Sequence, residues 1–259
     1  MTQLNGKTAL VTGGGTGIGE AIAIDLAKAG VEVTICGRRA APLEDTVSKI
    51  TAHGGKAGFF ETDMTDPDDI EKLAKNVLDQ GGVNILINNA GFSSKVRSAR
   101  FISAEEWRAV MDVNTMGPAT LTRLLLDSMI AKGAGDVVMI SSLAALYPNV
   151  VAGVAYSAAK VAAKSYMNIL QQEVKKYGIR CLTVYPGEVD TPILKNRAWV
   201  PGDTERALMM QPEDISAAVM MALSLPHRAT VMEIAITATV ARDMSADVTG
   251  ALTKETPEG

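Results

Sequence analysis

Short apolar runs alternate with stretches in which apolar residues return every three or four positions, and this rhythm fills most of the chain. Lys7 to Thr12 is the first apolar run. A glycine-rich turn follows it, then Ala21, Ile22, Ile24, Leu26 and Ala27 form the buried side of a helix that stops at Gly30. Glu32 to Gly37, Lys56 to Glu61 and Asn84 to Ile87 repeat the strand signal, with helical patterns over Pro42 to Ala52 and from Pro67 to about Leu78. Asp66 caps the second of these, and Pro67 takes the first helical position, where a missing N–H is no loss. Ser103 with Glu106 makes a capping-box pattern that opens a helix at Ala104. The helical pattern continues past Asn114, Thr115 and Gly117 to about Ala131, and Pro118 inside it predicts a kink with freed backbone groups. Asp136 to Ile140, Arg180 to Tyr185 and Val231 to Ile236 read as three more strands. Between them lie a long helix carrying Tyr156 and Lys160 and another near Pro212 to Leu223.

Strands alternating with helices of this length imply right-handed βαβ crossovers. The expected fold class is α/β: a doubly wound, parallel, seven-stranded sheet of Rossmann type with helices on both faces. One domain is expected over residues 1–241, with a substrate lid at about 190–212. In such sheets ligands gather at the carboxyl ends of the strands. The turn Gly13-Gly14-Gly15-Thr16-Gly17-Ile18-Gly19 sits between the first strand and the first helix, the context a phosphate-binding turn needs. Glycines let the backbone approach a pyrophosphate, and the helix N-terminus offers free N–H groups. The second strand ends in Arg38-Arg39 with no acid nearby. An acid there would bind the ribose 2′-hydroxyl of NAD, whereas a guanidinium accommodates the 2′-phosphate of NADP. NADP(H) is therefore the expected cofactor, against the plainer reading of a solvated arginine pair.

Tyr156 and Lys160 stand four residues apart, on one face of a helix. A free tyrosine has a pKa of about 10, too high for easy proton exchange at neutral pH, and a nearby ammonium favours the phenolate. The pair is a candidate general acid or base.

Composition narrows the field. At 259 residues the chain can bury a substantial core, and 47% apolar with 21% charged content is that of a globular protein. A net charge of -4 argues against a nucleic-acid partner. Cys36 and Cys181 each lie inside an apolar run and read as buried thiols in a reducing compartment. No metal site is expected: the two histidines, His53 and His227, sit in no ligand-like cluster, and there is no G-x-S-x-G elbow for a hydrolase. The first twenty residues lack a signal-peptide apolar block, and no apolar run approaches a membrane span, so a cytoplasmic protein with no membrane partner is expected.

Taken in order, Thr12-Gly13-x-x-x-Gly17-x-Gly19, Asn88-Asn89-Ala90-Gly91, Asn114, Ser142, Tyr156-x-x-x-Lys160 and Pro186-Gly187 resemble the motifs of the short-chain dehydrogenase/reductase family, over residues 5 to about 238. The resemblance implies an NADP(H)-dependent oxidoreductase with four catalytic residues. Tyr156 would protonate the carbonyl oxygen, or take the proton in reverse, and Ser142 would polarise the same oxygen. Lys160 would bind the nicotinamide ribose and keep the tyrosine pKa low. Asn114 would hold a water that relays protons. Gly13, Gly17 and Gly19, with Thr16 and Ile18 beside them, would cradle the pyrophosphate. Asp63 and Met64 would flank the adenine, Asn89, Ala90 and Gly91 the adenosine ribose, and Val189 and Thr191 the carboxamide.

Some positions keep an alternative. Ser141 competes with Ser142, because Ser142 lies fourteen residues before Tyr156, one more than usual in the family. Asp63 could simply cap the following turn. Thr16 occupies a place where many NADP-using members carry a basic residue, which leaves specificity to Arg38 and Arg39. The expected C-terminal Asp-Gly-Gly is missing, and residues 242–259 read as a polar tail, a candidate for disorder. A homodimer or homotetramer is expected; the altered C-terminus puts the tetramer in question, and Ala155, Ala158, Ala159, Ala162 and Ala163 would permit close helix contact between copies.

Substrate choice belongs to the loops at Phe92–Arg100, Leu143–Val154 and Val189–Met210. They supply Leu143, Leu146, Tyr147, Val150, Val151, Leu194, Trp199 and Val200, which suggests a small apolar ketone, aldehyde or secondary alcohol. Lys95, Arg97 and Arg100 could meet an anionic group, although such a cluster is more often a solvated loop. The alternative function is a catalytically idle NADP-binding redox sensor; the intact Asn114, Ser142, Tyr156 and Lys160 set argues against it, because a pure binder needs no acid.

Overall fold

The structure is a computed structural model that describes residues 4–257. Seven strands appear among those residues: β1 (Thr8–Thr12), β2 (Glu32–Gly37), β3 (Ala57–Glu61), β4 (Ile85–Asn88), β5 (Gly135–Ile140), β6 (Ile179–Pro186) and β7 (Glu233–Ile236). All neighbours pair in parallel, in the order β3-β2-β1-β4-β5-β6-β7. The expected Rossmann-type sheet is present.

Period-two alternation sends successive residues of each central strand to opposite faces. Ala9, Val11, Ile85, Ile87, Val138 and Ile140 pack with α1 (Gly17–Lys28), α2 (Ala40–Ala52) and α8 (Pro212–Leu223). Leu10, Leu86, Val137 and Met139 pack on the other side with α3 (Pro67–Asp79), α5 (Gly117–Ala131) and α6 (Val154–Val174). Two cores thus sandwich one sheet. The strand order reverses between β1 and β4, and the crevice at their carboxyl ends is where a ligand has room to enter.

Three local expectations need correction. The helix opened by Ser103 does not run unbroken through Asn114. α4 (Ala104–Met111) passes into a π-helical turn at Asp112–Met116 before α5 begins. A π-turn widens the helix by one residue, and such bulges gather at functional sites. Pro118 starts the next helix instead of kinking one, and its carbonyl accepts from Thr122 Oγ1 at 2.7 Å. Second, the capping box at Ser103 is half-made: Ser103 accepts from the Glu106 N–H at 3.1 Å, but the Glu106 carboxylate turns to the Ser94 hydroxyl instead.

The third correction concerns the C-terminus. Residues 242–257 do not form a free polar tail: α9 (Ser245–Thr253) docks there, with Asp247 and Ala251 buried. The last two residues of the expected tail, 258 and 259, lie outside the described ones. Asp247 Oδ1 accepts from Arg242 Nη2 at 2.8 Å and from Arg197 Nη1 at 2.9 Å, while Glu188 Oε1 takes both guanidiniums at 2.7 and 2.6 Å. The polar residues that read as solvated are two arginines and two acids neutralising one another. Between β6 and β7, a 3₁₀ turn at Pro192–Asn196 and the short α7 (Asp203–Arg206) lie in a loop whose ends are clamped by a parallel bridge between Val189 and Met210. Among the described residues no helix is long and apolar enough to cross a membrane.

Candidate active site

The cleft is built where β1 and β4 part. Thr12, at the end of β1, is fully buried, and its hydroxyl accepts from the N–H groups of Asn89 and Ala90 at 3.0 and 2.9 Å. Asn89 returns the contact through Nδ2, which donates to the carbonyls of Thr12 at 2.9 Å and Gly13 at 3.2 Å. The two strand ends are thereby fixed relative to each other. The glycine turn then folds against this knot. Gly17 has φ +58°, a left-handed conformation that other residues adopt only with strain. A Cβ on Gly19 would collide with the Gly13 carbonyl and the Asn89 amide, so glycine is needed there for close approach. Thr16 caps α1 without a side-chain bond, so its hydroxyl leaves the first-turn N–H groups open toward the cleft.

The cleft has two lobes. The larger, about 430 Å³, is lined by Gly13, Thr16, Gly17, Ile18, Asn89, Ala90 and Gly91 on one side and by Ser142, Tyr156, Lys160, Val189 and Thr191 on the other. The smaller, about 170 Å³, is lined by Arg38, Arg39, Asp63 and Met64. Arg38 and Arg39 are exposed and form no ion pair among the described residues. The site thus offers open helix N–H groups at its centre and unpaired guanidiniums at one end, a donor set that fits a phosphorylated dinucleotide. Asp63 lines the smaller lobe, yet its Oδ1 is engaged by the N–H and hydroxyl of Thr65, both at 2.9 Å, as the turn-capping alternative predicts.

Tyr156, Ser142 and Lys160 line the larger lobe, and Asn114 is buried behind it, next to Gly91. Tyr156 and Lys160 come from the first turns of α6, with the ammonium 5.4 Å from the phenol ring centre. Lys160 is buried, donates to the Ile140 carbonyl at 3.1 Å, and has its pKa pulled down to about 8 by desolvation. Burial pushes the Tyr156 phenol above its ordinary value; the Ser142 hydroxyl and the charges of Arg97 and Arg197 oppose that rise. Ser142 engages Tyr156, whereas the buried Ser141 hydroxyl has no partner among the described residues.

Asn114 sits in the π-turn. Its Nδ2 donates to Phe92 O at 2.6 Å and Val110 O at 2.8 Å, while its Oδ1 is buried with no partner among the described residues. A Cβ on Gly91 would lie 3.4 Å from that oxygen and 3.9 Å from Lys160 Nζ, so both atoms border the same glycine. Thr115 ties the turn to α6 through Ala159 O at 2.9 Å. Sequence reasoning gave Thr115 no role; a β-branched residue beside a predicted kink is too weak a signal.

The apolar lining is thinner than expected. Leu143, Val151 and Leu194 face the cleft, with Ile193 and Met244 added. Tyr147, Val150 and Val200 are exposed, and Trp199 packs on Gly250 of α9. Of the three loop cations, Arg100 is exposed and stacks on Phe101, while Arg97 is buried and lines the cleft beside Tyr156.

Comparison with known proteins bears on family and fold. The short chain dehydrogenase family model matches residues 7–199. An uncharacterized oxidoreductase of Staphylococcus aureus (strain USA300) is 33% identical over 239 residues, covering 91% of this chain and 99% of that protein. Among solved structures, a metagenomic short-chain oxidoreductase in complex with NADP superposes with a TM-score of 0.80 at 29% identity, over 93% of this chain and 100% of that one. An alcohol dehydrogenase from the archaeon Thermococcus sibiricus, complexed with 5-hydroxy-NADP, gives a TM-score of 0.82 at 27% identity, over 92% and 98%. With the family model spanning most of the chain and these relatives covering nearly all of it, the protein belongs to the short-chain dehydrogenase/reductase family of oxidoreductases.

Proposed function

We propose that this chain interconverts a carbonyl compound and its alcohol with NADP(H), using Tyr156 as the general acid in reduction and the general base in oxidation. The observation that carries the reading is the convergence of Tyr156, Ser142 and Lys160 on a cleft whose far end holds the unpaired Arg38 and Arg39. NADP(H), when bound, supplies or accepts the hydride. The chain's own work is positioning and proton management. Gly13, Thr16, Gly17 and Ile18 hold the pyrophosphate against α1, with Gly19 allowing the close packing of the turn. Arg38, with Arg39 beside it, pairs the 2′-phosphate. Met64 and Asp63 border the adenine, and Asn89, Ala90 and Gly91 the adjoining ribose. Val189 and Thr191 orient the carboxamide.

At the reacting end, Ser142 donates to the carbonyl oxygen and Tyr156 delivers its proton as the carbon is reduced. Lys160 binds the ribose beside it. The unpartnered Oδ1 of Asn114 is the acceptor that a proton relay from Lys160 to solvent requires. The substrate body lies against Leu143, Val151, Ile193 and Leu194, under the clamped loop at 190–212, which acts as a lid. We place the protein in a reducing cytoplasm as a homo-oligomer. Val161 and Ile169 of α6 and Met116 are exposed apolar positions suited to contact with a second copy.

The test is NADPH oxidation followed at 340 nm with a panel of ketones, aldehydes and oxo acids, with NADH in parallel. NADPH-preferring turnover is expected. Tight NADPH binding without turnover of any carbonyl overturns the catalytic reading.

A further inference from the structure

Arg97 is the anomaly of the cleft. Its side chain is 6% exposed, and it meets only neutral acceptors: the Ser93 hydroxyl, Ala152 O at 2.8 Å and Asn196 O at 2.9 Å. Its Nε is buried with no partner, and no carboxylate lies within ion-pair distance among the described residues. Buried charges are ordinarily paired, because desolvating one alone is expensive. Every other strongly buried arginine here obeys that rule: Arg180 has Asp136 at 2.6 Å, and Arg242 has Asp247 and Glu188 at 2.8 and 2.7 Å. Arg197, at the cleft edge, is likewise taken by Glu188 and Asp247.

The exception is also held rigidly in place. Gly153 has φ +85°, and a Cβ there would approach Arg97 Cδ to 2.7 Å, so the chain leaves room for this guanidinium at the start of α6. The three acceptors fix the planar fork while contributing no negative charge. Arg97 lines the same lobe as Tyr156, with Asn149 and Val151 between the loops.

We infer that Arg97 is a specificity-determining residue that pairs with a carboxylate on the substrate, so that the enzyme acts on an oxo acid or hydroxy acid with a short apolar body. The inference rests on the proposed function and names its substrate class. An arginine fork matches a carboxylate in two hydrogen bonds, and the unpaired charge sits beside the proton-transferring phenol. A neutral ketone would leave the guanidinium uncompensated in the closed site.

The test compares C4 to C6 oxo acids with their methyl esters, using the full-length protein and NADPH. Wild type is expected to favour the acid by about 10- to 100-fold in kcat/KM, the range of one charge-assisted contact. Arg97→Met is expected to collapse that ratio toward one, whatever its absolute rate. Equal turnover of acid and ester by wild type, or an unchanged ratio in the variant, overturns the inference and leaves the oxidoreductase reading standing. Because Arg97 also braces Ala152 and Asn196, a measurement on wild type provides the second test. Hexanoate is expected to bind the NADP-loaded protein at least about tenfold more tightly than hexanamide, with its carboxylate on Arg97 in a crystal structure. A carboxylate seated elsewhere overturns the inference. Hexanoate on Arg97 without turnover of any carbonyl supports the anion site and overturns the catalytic reading instead.

Discussion

Replacing Lys160 with Met should make the protein more stable and nearly inactive. The ammonium is 2% exposed, and its one hydrogen bond in the structure runs to Ile140 O at 3.1 Å. Burial pulls its pKa from 10.5 to about 8. A gap of about 2.5 pH units at about 1.36 kcal/mol each puts the folding cost of this charge at about 3 kcal/mol. The folded state releases the proton first, so between the two pKa values it binds fewer protons than the unfolded chain, and stability rises with pH there. Below pH 8 the full cost is present; by about pH 10.5 it has gone. Methionine keeps the length of the side chain and removes the charge, while the lost hydrogen bond gives back about 1 kcal/mol. The net gain at pH 7 is about 2 kcal/mol, or about 4–8 °C in Tm for a chain of this size. Activity should fall by roughly 10² to 10⁴, the usual range for a positioned proton-transfer group. Urea unfolding of both proteins at pH 7 and pH 10 reads the effect. A Met variant less stable at pH 7, or a gain that is the same at both pH values, refutes the reasoning.

Three further outcomes follow from the same geometry. Tyr156→Phe should lower turnover by about 10² to 10⁴ while NADPH binding, read by fluorescence titration, stays near wild type; near-normal turnover would remove Tyr156 from the proton path. Because burial holds the phenol above its ordinary value, alcohol oxidation should climb with pH without a plateau below about pH 10, whereas reduction, which uses the phenol, should not fall on that account; an oxidation plateau near neutrality contradicts this. Asp247→Ala strips one acid from two guanidiniums and should cost about 3 kcal/mol, read by urea unfolding. An unchanged midpoint would mean that α9 is not held by this network.

Fold and site were legible in the sequence to different depths. The sheet could be read because each central strand is a short apolar run between turn signals, and seven such runs alternate with helical patterns. The glycine turn, Asn89 and the Tyr156 helix could be located because their chemistry is local: the turn needs glycine where Gly17 takes positive φ, and the Tyr–Lys pair needs one helix face. The π-turn escaped notice because Asp112 to Met116 has no composition that distinguishes one extra residue per turn from an ordinary helix. What fixes the bulge is tertiary: Asn114 bonds Phe92 O, and Thr115 bonds Ala159 O. The C-terminal helix was hidden for a related reason. Arg242 and Asp247 look solvated in a list of residues, and their partners, Glu188 and Arg197, lie some fifty positions away.

The two ends of the sheet treat charge in opposite ways, and that contrast locates function more sharply than any motif. At the amino ends of β5 and β6, Asp136 and Arg180 are buried together, and Arg180 also donates to the carbonyls of Leu223, Leu225 and Ala229. Those carbonyls end α8 and the turn after it, so the guanidinium meets both an acid and a helix C-terminus. The guanidinium is thus satisfied within the fold, while Asp136 Oδ2 has only the Lys7 ammonium, 3.9 Å away. At the carboxyl ends, Lys160 and Arg97 are as deeply buried, and each has only neutral oxygens for company. Asn114 Oδ1 and the Ser141 hydroxyl are buried there without partners among the described residues. A fold that pairs its charges at one end of the sheet has the means to do so at the other. Unpaired cations kept beside one phenol lower stability, and an anionic ligand is what would offset that loss.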